Sequence, residues 1–358
     1  MPQLDPTARS RRHRKVAAAV GLAVTAALTL GACSTASSAD ADGPVAAGQR
    51  VSIVASTNVW GSVAGAVAGD RADVVSIVSD PSADPHSYEA SPRDAARITD
   101  ANLVVLNGGG YDGFLDDILE SMPGKRTVDA FELYGSPTDL HGDHDAAAAS
   151  PAAPEPEAHE AAAHEAEADS HAGHDHDHGH GAVNEHVWYD VPTVDAVAQK
   201  IAAELGVIDP ANADAYTANA ADFHGKLHRI TAVTDAIAAT HGQAPVAQTE
   251  PIAHYLLAAA DLRDETPEDF TKAIEDGNDP PPAAIAATRD LLAGKKVHAL
   301  IYNSQTQDRV TQDVRANAEA AGITVVEVSE TLPEGLDYIQ WQSATAAALA
   351  AALDGSAR

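Results

Sequence analysis

The chain has one cysteine, two methionines and few aromatic residues, only 4%. A single cysteine excludes an internal disulfide framework and any cysteine-rich zinc cluster. The shortage of aromatics means that a core must be built largely from Ala, Val, Leu and Ile. Basic residues are also scarce: 22 Lys and Arg stand against 53 Asp and Glu, a formal net charge of −31. So acidic a surface repels nucleic acid and anionic headgroups, and it attracts cations. There is no His-Glu-x-x-His word and no Gly-x-Ser-x-Gly elbow, so two common hydrolase signatures are missing.

The lone cysteine has a place of its own. Arg9, Arg11, Arg12, Arg14 and Lys15 form a basic segment, Val16 to Leu30 an apolar one, and Leu30-Gly31-Ala32-Cys33 follows. This is the layout of a secretory signal, and its last four residues resemble a bacterial lipobox. In such signals the cysteine becomes the lipidated first residue of the mature chain. The apolar stretch is short for a membrane span of about 20 residues; an uncleaved anchor helix is the rival reading. With Cys33 committed to lipid, a metal site must be built from His, Asp, Glu and amides.

Histidine is abundant where cysteine is not. The segment from His141 to His180 holds nine of the chain's seventeen histidines and ends in His171, His174, His176, His178 and His180, spaced by Ala, Gly and Asp. Neutral imidazole suits Zn, Cu, Ni and Fe, and so dense a run reads as weak metal collection on composition alone. The bland reading is a solvated acidic loop. Ala, Pro, Glu, Asp and His cannot bury enough apolar surface to order such a tract.

Around the tract the pattern is globular. Val51–Thr57, Val74–Val78 and Leu103–Gly109 read as strands, alternating with helical stretches Trp60–Gly69, Pro92–Thr99 and Tyr111–Ser121. From Val191 to His241 the pattern is helical, broken at Asp209-Pro210; a helix over Ala213–Thr240 would be roughly 40 Å long. A second alternating series follows: strands at Pro245–Thr249, Ala299–Asn303 and Thr324–Ser329, helices at Ile252–Ala260, Pro282–Ala293, Asp308–Ala321 and Ile339–Leu353. The alternation predicts βαβ units with parallel sheets. The expected plan is a signal over 1–32, a flexible tether over 33–49, an α/β lobe over 50–208 with a disordered insert at 138–182, a linking helix over 209–242, and a second α/β lobe over 243–358.

Four residues stand just past strand ends or in loops beside them, where open α/β sheets bind ligands: His86 in Asp-Pro-His-Ser-Tyr-Glu, His186 in Asn-Glu-His-Val-Trp-Tyr-Asp, Glu250 in Thr-Glu-Pro, and Glu330 in Ser-Glu-Thr-Leu-Pro. Two imidazoles and two carboxylates offset a divalent charge, and the nitrogen donors disfavour Ca²⁺ and Mg²⁺. Singly each has a plain alternative. His86 reads equally as a surface or capping residue, Glu250 as a cap before Pro251, Glu330 as a solvated loop acid. These residues point to a metal protein with a cleft.

The two histidine words resemble the metal-ligand motifs of the solute-binding lipoproteins that feed bacterial ABC importers for zinc and manganese. The resemblance covers about residues 50 to 355. It implies two Rossmann-like α/β lobes joined by one long rigid helix, with one metal in the interlobe cleft. It also implies a monomer lipid-anchored to the outer face of the cell membrane, which hands its cargo to permease and ATPase subunits. By that resemblance His86 and His186 match the first two ligands. Glu250 stands at a position that is His in many zinc receptors and Glu in manganese-type ones, and Glu330 matches the last ligand. His254, one turn beyond Glu250, and Asn303, at a strand end, are auxiliary candidates; the plain reading of Asn303 is a helix cap.

The tract favours zinc (Zn²⁺), while a two-His, two-carboxylate set suits manganese (Mn²⁺) at least as well. The expectation is a non-enzymatic zinc receptor, with a manganese receptor, an exported metal buffer and a zinc metalloenzyme as alternatives. Four protein ligands close the shell that a catalytic zinc keeps open. Because coordination requires neutral imidazole, affinity is expected to fall below about pH 6.5.

Overall fold

The computed structural model describes residues 45, 49–80, 83, 85–135 and 184–356. The signal, Cys33 and the tract with His171, His174, His176, His178 and His180 lie outside the described residues.

Two four-stranded parallel sheets carry the fold. The first contains β1 (Val51–Thr57), β2 (Ala72–Val78), β3 (Leu103–Leu106) and β4 (Thr127–Asp129) in the order β2-β1-β3-β4. The second contains β5 (Pro245–Gln248), β6 (Arg263–Asp264), β7 (Ala299–Asn303) and β8 (Thr324–Val328) in the order β6-β5-β7-β8. All pairings are parallel; Val54 stands opposite both Val75 and Val104, and Ile301 opposite both Gln248 and Val326. Each lobe therefore reverses strand order between its first and third strands, β1/β3 and β5/β7. Such a switch point opens a crevice at the carboxyl ends of the strands.

Helices cover both faces, so the strands are apolar on both sides: every residue of β3 and of β7 is buried. In the first lobe α1 (Asn58–Ala68), α2 (Pro92–Asp100) and α3 (Asp116–Glu120) connect successive strands. Gly61 lets α1 lie close on the sheet, because a Cβ there would fall 2.1 Å from Ser76 Oγ. Ser91 and Asp94 form a capping box at the start of α2. Then α4 (Val191–Ile208) and α5 (Ala213–His241) run consecutively; Asp190 caps α4 by accepting from Thr193 N–H. At 29 residues α5 is roughly 43 Å long. In the second lobe come α6 (His254–Ala259), α7 (Glu268–Glu275), α8 (Pro282–Ala293), α9 (Arg309–Ala321) and the closing α10 (Tyr338–Ser356). Among the described residues no helix is long and apolar enough to cross a membrane.

One apolar core passes through both lobes. It joins Val51, Trp60 and Val105 of the first to Leu256, Val326 and Leu349 of the second, by way of Ile201, Phe223, Leu227 and Ile230 on α4 and α5. Hydrogen bonds cross between the lobes too. Asn58 Nδ2 donates to Leu332 O and Leu332 N to Asn58 Oδ1, at 3.0 and 2.8 Å. Tyr338 OH donates to Trp188 O at 2.7 Å, and Tyr189 OH to Ser329 O at 2.9 Å. A shared core with paired polar groups fixes where the two crevices meet.

The helix expected over Tyr111–Ser121 is a correction: the chain makes a 3₁₀ turn at Gly113–Leu115 and then only the short α3. Asp112 is the reason. Its carboxylate accepts from the N–H groups of Asn107 and Gly108, closing a loop where Gly108, Gly109 and Gly110 all have positive φ. The strands β4 and β6 and the helix α7 were not foreseen. Strands of two or three residues show no alternation, and α7 buries only Phe270, Thr271 and Ile274.

Candidate metal centre

The four residues past the strand ends come together at the meeting crevices. His86 follows β2, Glu250 stands two residues beyond β5 and Glu330 two beyond β8, and His186 opens the short turn leading into α4. His186, Glu250 and Glu330 are 1–2% exposed, and the His86 side chain is 27% exposed. Burial excludes the solvated-acid reading of Glu330. No side-chain capping bond comes from Glu250 at the turn it precedes, so it is not there as a cap.

One grouping is His86, His186 and Glu330, each offering a ligand atom within 4.8 Å of the others. His86 Nε2 lies 3.5 Å from Glu330 Oε2. Glu250 is outside this group but tied to it. Asn303 Nδ2 donates to Glu250 Oε2 at 2.7 Å and to Glu330 Oε1 at 2.8 Å. Thr306 Oγ1 donates to the other oxygen of Glu250, and Tyr111 OH to Glu330 Oε2 at 3.1 Å. Asn303 is thus a bridge between two carboxylates, not a helix cap. His254 is exposed at the start of α6, its ring against Tyr255, and belongs to neither three-residue grouping found among the described residues.

Residues beside His186 orient both imidazoles. Asn184 Oδ1 lies 3.0 Å from His186 Nδ1, while Asn184 Nδ2 donates to Pro251 O at 2.8 Å. The second bond fixes the amide, so Oδ1 is the acceptor and His186 carries its proton on Nδ1. Its Nε2 lone pair is left for a cation. Glu185 Oε1 lies 3.4 Å from His86 Nδ1 and does the same for that ring. Trp188 packs against the His186 ring at 5.1 Å and Tyr111 against the His86 ring at 4.8 Å.

A second grouping, Glu185, His186 and Glu275, adjoins the first. Glu275 ends α7, with Oε1 3.7 Å from His186 Nδ1. A cavity of about 290 Å³ lined by His86, Glu250, Glu275 and Thr306 leads to the cluster.

The electrostatics fit a cation. Burial holds the His186 imidazolium well below its ordinary pKa, helped by repulsion from His86 and His254, so the ring is neutral at pH 7. Burial raises Glu250 to about 7, with Glu330 adding repulsion. It raises Glu275 to about 8, with repulsion from Glu185, Glu250, Asp276 and Glu330. Glu185 is raised as well, again chiefly by burial. Buried carboxylates that repel one another gain from a divalent ion between them, and neutral imidazoles select a borderline metal over Ca²⁺ or Mg²⁺.

Residues 53–352 match the family model described as zinc-uptake complex component A periplasmic (ZnuA). The chain belongs to this family. Among curated relatives it is 23% identical, over 192 residues, to the manganese ABC transporter substrate-binding lipoprotein PsaA of Streptococcus mitis, covering 52% of this chain and 50% of that one. It is 27% identical, over 173 residues, to the manganese-binding lipoprotein MntA of Halalkalibacterium halodurans, covering 48% and 45%. The chain thus spans about half the length of the curated relatives it matches. Among solved structures it is similar to the periplasmic zinc-binding protein TroA of Treponema pallidum, with TM-score 0.63, 14% identity, 85% of this chain and 99% of that one. It is also similar to FpvC of Pseudomonas aeruginosa in complex with Mn²⁺, with TM-score 0.62, 21% identity, 86% and 100%. These likenesses establish the two-lobed fold of metal-binding substrate-binding proteins.

Within that fold, the reading of the sequence missed Asn184, Glu185, Tyr111, Glu275 and Thr306. Only the first two carried a signal, their adjacency to His186. Glu275 and Thr306 reach the site through α7 and the loop after β7, which strand-end logic alone does not single out.

Proposed function

We propose that the chain is an extracytoplasmic zinc receptor for an ABC importer. One Zn²⁺ is held between the lobes by His86, His186, Glu250 and Glu330. The convergence of His86 Nε2, His186 and Glu330, with both Nδ1 atoms turned to oxygen acceptors, carries the reading. Glu250 completes the set by turning the oxygen now held by Thr306 or Asn303 toward the ion. Four protein ligands leave no open position for a reacting water, which favours a carrier over a metalloenzyme.

Cys33 would carry the lipid anchor after removal of residues 1–32, and residues 33–49 would be the tether. On this reading the lobes span 50–208 and 243–358, the linker helix spans 209–242, and the permease and ATPase subunits are the partners of a monomeric receptor. The histidines at 171, 174, 176, 178 and 180 collect zinc weakly beside the cleft. His254 stays outside the metal shell.

Manganese is the second reading, supported by the glutamate at position 250 and by relatives named for manganese. Since Zn²⁺ outcompetes Mn²⁺ at nearly any such site, affinity alone does not identify the cargo. The test is metal accumulation in cells lacking the gene. Slower growth and lower metal content under zinc starvation, rescued by zinc, support the proposal. A defect confined to manganese starvation replaces it with the second reading.

A further inference from the structure

A second arrangement of metal-ligating side chains lies away from the cleft, on α4 and α5. Asp195 on α4 is completely buried. Its Oδ2 accepts from Gln199 Nε2 at 2.7 Å and lies 3.1 Å from His224 Nδ1 on α5. Its Oδ1 is buried with no hydrogen-bond partner. His228 follows His224 by four residues, so the two share one helix face. Their rings meet edge to face, with centroids 5.0 Å apart and planes at 86°. His224 is partly exposed and His228 exposed. A cavity of about 420 Å³ bordered by Gln199, Ala202, Thr217 and Ala221 adjoins His224.

The geometry orders these residues by role. A carboxylate facing Nδ1 takes that proton in a hydrogen bond and leaves the His224 Nε2 lone pair pointing outward. This carboxylate–imidazole pair is the arrangement that orients metal-binding histidines. A lone buried carboxylate is costly without positive charge nearby, and a cation on Nε2 polarises the ring and strengthens the N–H···O contact. His228, exposed on the same helix face, offers a second imidazole nitrogen. Water fills the remaining positions from the adjoining cavity and solvent.

We propose that His224 and His228 form a second divalent transition-metal site on the long helix, with Asp195 as its positioning residue. Two imidazoles and water suit Zn²⁺, Ni²⁺ and Cu²⁺ and reject Ca²⁺ and Mg²⁺. With two protein ligands the site is weaker than a closed four-ligand cleft. It stands whether the cleft carries zinc or manganese.

Histidine carbethoxylation by diethyl pyrocarbonate, read peptide by peptide on the full chain in buffered Zn²⁺, tests this despite the other histidines. Only the metal-free fraction reacts. The rates at His224 and His228 should therefore fall together with one midpoint, by about tenfold at a free zinc concentration ten times that midpoint. His241, on the same helix with Nε2 bonded to Asp354 at 2.9 Å, should keep its rate. His228→Ala, at an exposed position, should abolish protection of His224. Asp195→Asn should raise the midpoint about 10- to 100-fold. Unchanged rates at His224 and His228 in zinc overturn the proposal and leave His224 as the hydrogen-bond partner of Asp195 alone. Persistent protection of His224 in His228→Ala also overturns it.

Discussion

Glu185 and His86 face each other with carboxylate Oε1 3.4 Å from imidazole Nδ1, although 99 positions separate them in the chain. The residue just before one candidate ligand therefore aims the other. Glu185→Ala removes this acceptor and leaves His86 free to rotate or change tautomer. Loss of such an outer partner costs about 10- to 100-fold in affinity. Competition titration of zinc against a chelator should show a loss in that range at the tight equivalent. Unchanged affinity would mean that His86 is held by other contacts.

His86→Ala, His186→Ala and Glu330→Ala should each weaken the tight equivalent by more than about 100-fold, beyond what an outer partner costs. Glu250→Ala is the discriminating variant, because Glu250 lies outside the grouping of His86, His186 and Glu330. If it coordinates the ion, its loss should match that of Glu330→Ala in the same titration. A loss near that of Glu185→Ala would instead place Glu250 as a charge held by Asn303, outside the metal shell.

Much of this site could be read along the chain because strand ends announce it. Val51–Thr57 and Ala299–Asn303 are almost wholly buried runs of the kind that central parallel strands require, and Thr324–Val328 is a β-branched run that buries Val326 and Val328. The polar residues at the ends of such runs or just beyond them, Asn303 at the end of β7 and Glu330 two past β8, inherit the crevice. The long helix was legible from its period and from Asp209-Pro210 at its start. Glu275 was not legible: α7 is only eight residues long, and nothing near it in sequence tells that its last residue meets His186. The division of labour between Glu250 and Asn303 was hidden too. It depends on a single amide reaching two carboxylates from different strands, and spacing does not encode that.

Asp129 offers a stability test away from the metal. Burial raises its carboxyl from 3.8 to about 6, with repulsion from Glu132 and Asp112. Between those values the folded state holds the proton that the unfolded chain has lost, so this contribution to stability declines as pH rises from about 4 to about 6. A shift of two units corresponds to about 3 kcal/mol, which partial exposure reduces to about 1 kcal/mol. Asp129→Asn removes the titration and can still accept from Glu132 N–H, the bond Asp129 Oδ1 makes at 3.1 Å. Its melting temperature without metal should exceed the parent's at pH 7.5 by roughly 2 °C, and the gain should vanish near pH 4. A gain of equal size at both pH values would show that packing, not charge, is responsible.

Metal binding itself should be linked to protons through the carboxylates more than through His186. Burial keeps His186 neutral throughout the physiological range, so it does not titrate there. Glu250 at about 7 and Glu275 at about 8 do. Their folded pKa values stand above the unfolded ones, so without metal they favour the folded state most at low pH. That contribution declines as pH rises from 4.5, the ordinary value, to about 7 for Glu250 and about 8 for Glu275, where the two acids ionise against each other. A bound divalent ion reverses the balance, since it needs ionised oxygen. At pH 6 it must displace protons, while at pH 8.5 it meets the charges already formed. Zinc affinity should therefore climb across pH 6 to 8, and the zinc-induced rise in melting temperature should grow with it. Glu250→Gln keeps the shape of the side chain and removes one titration while leaving the His-rich tract in place, so the parent-minus-variant difference isolates the cleft. Calorimetry at pH 6.5 in two buffers of different ionisation enthalpy should find more protons released by the parent than by Glu250→Gln. Equal release, with equal slopes of affinity against pH, would mean that Glu250 stays protonated when the metal binds and lies outside its shell.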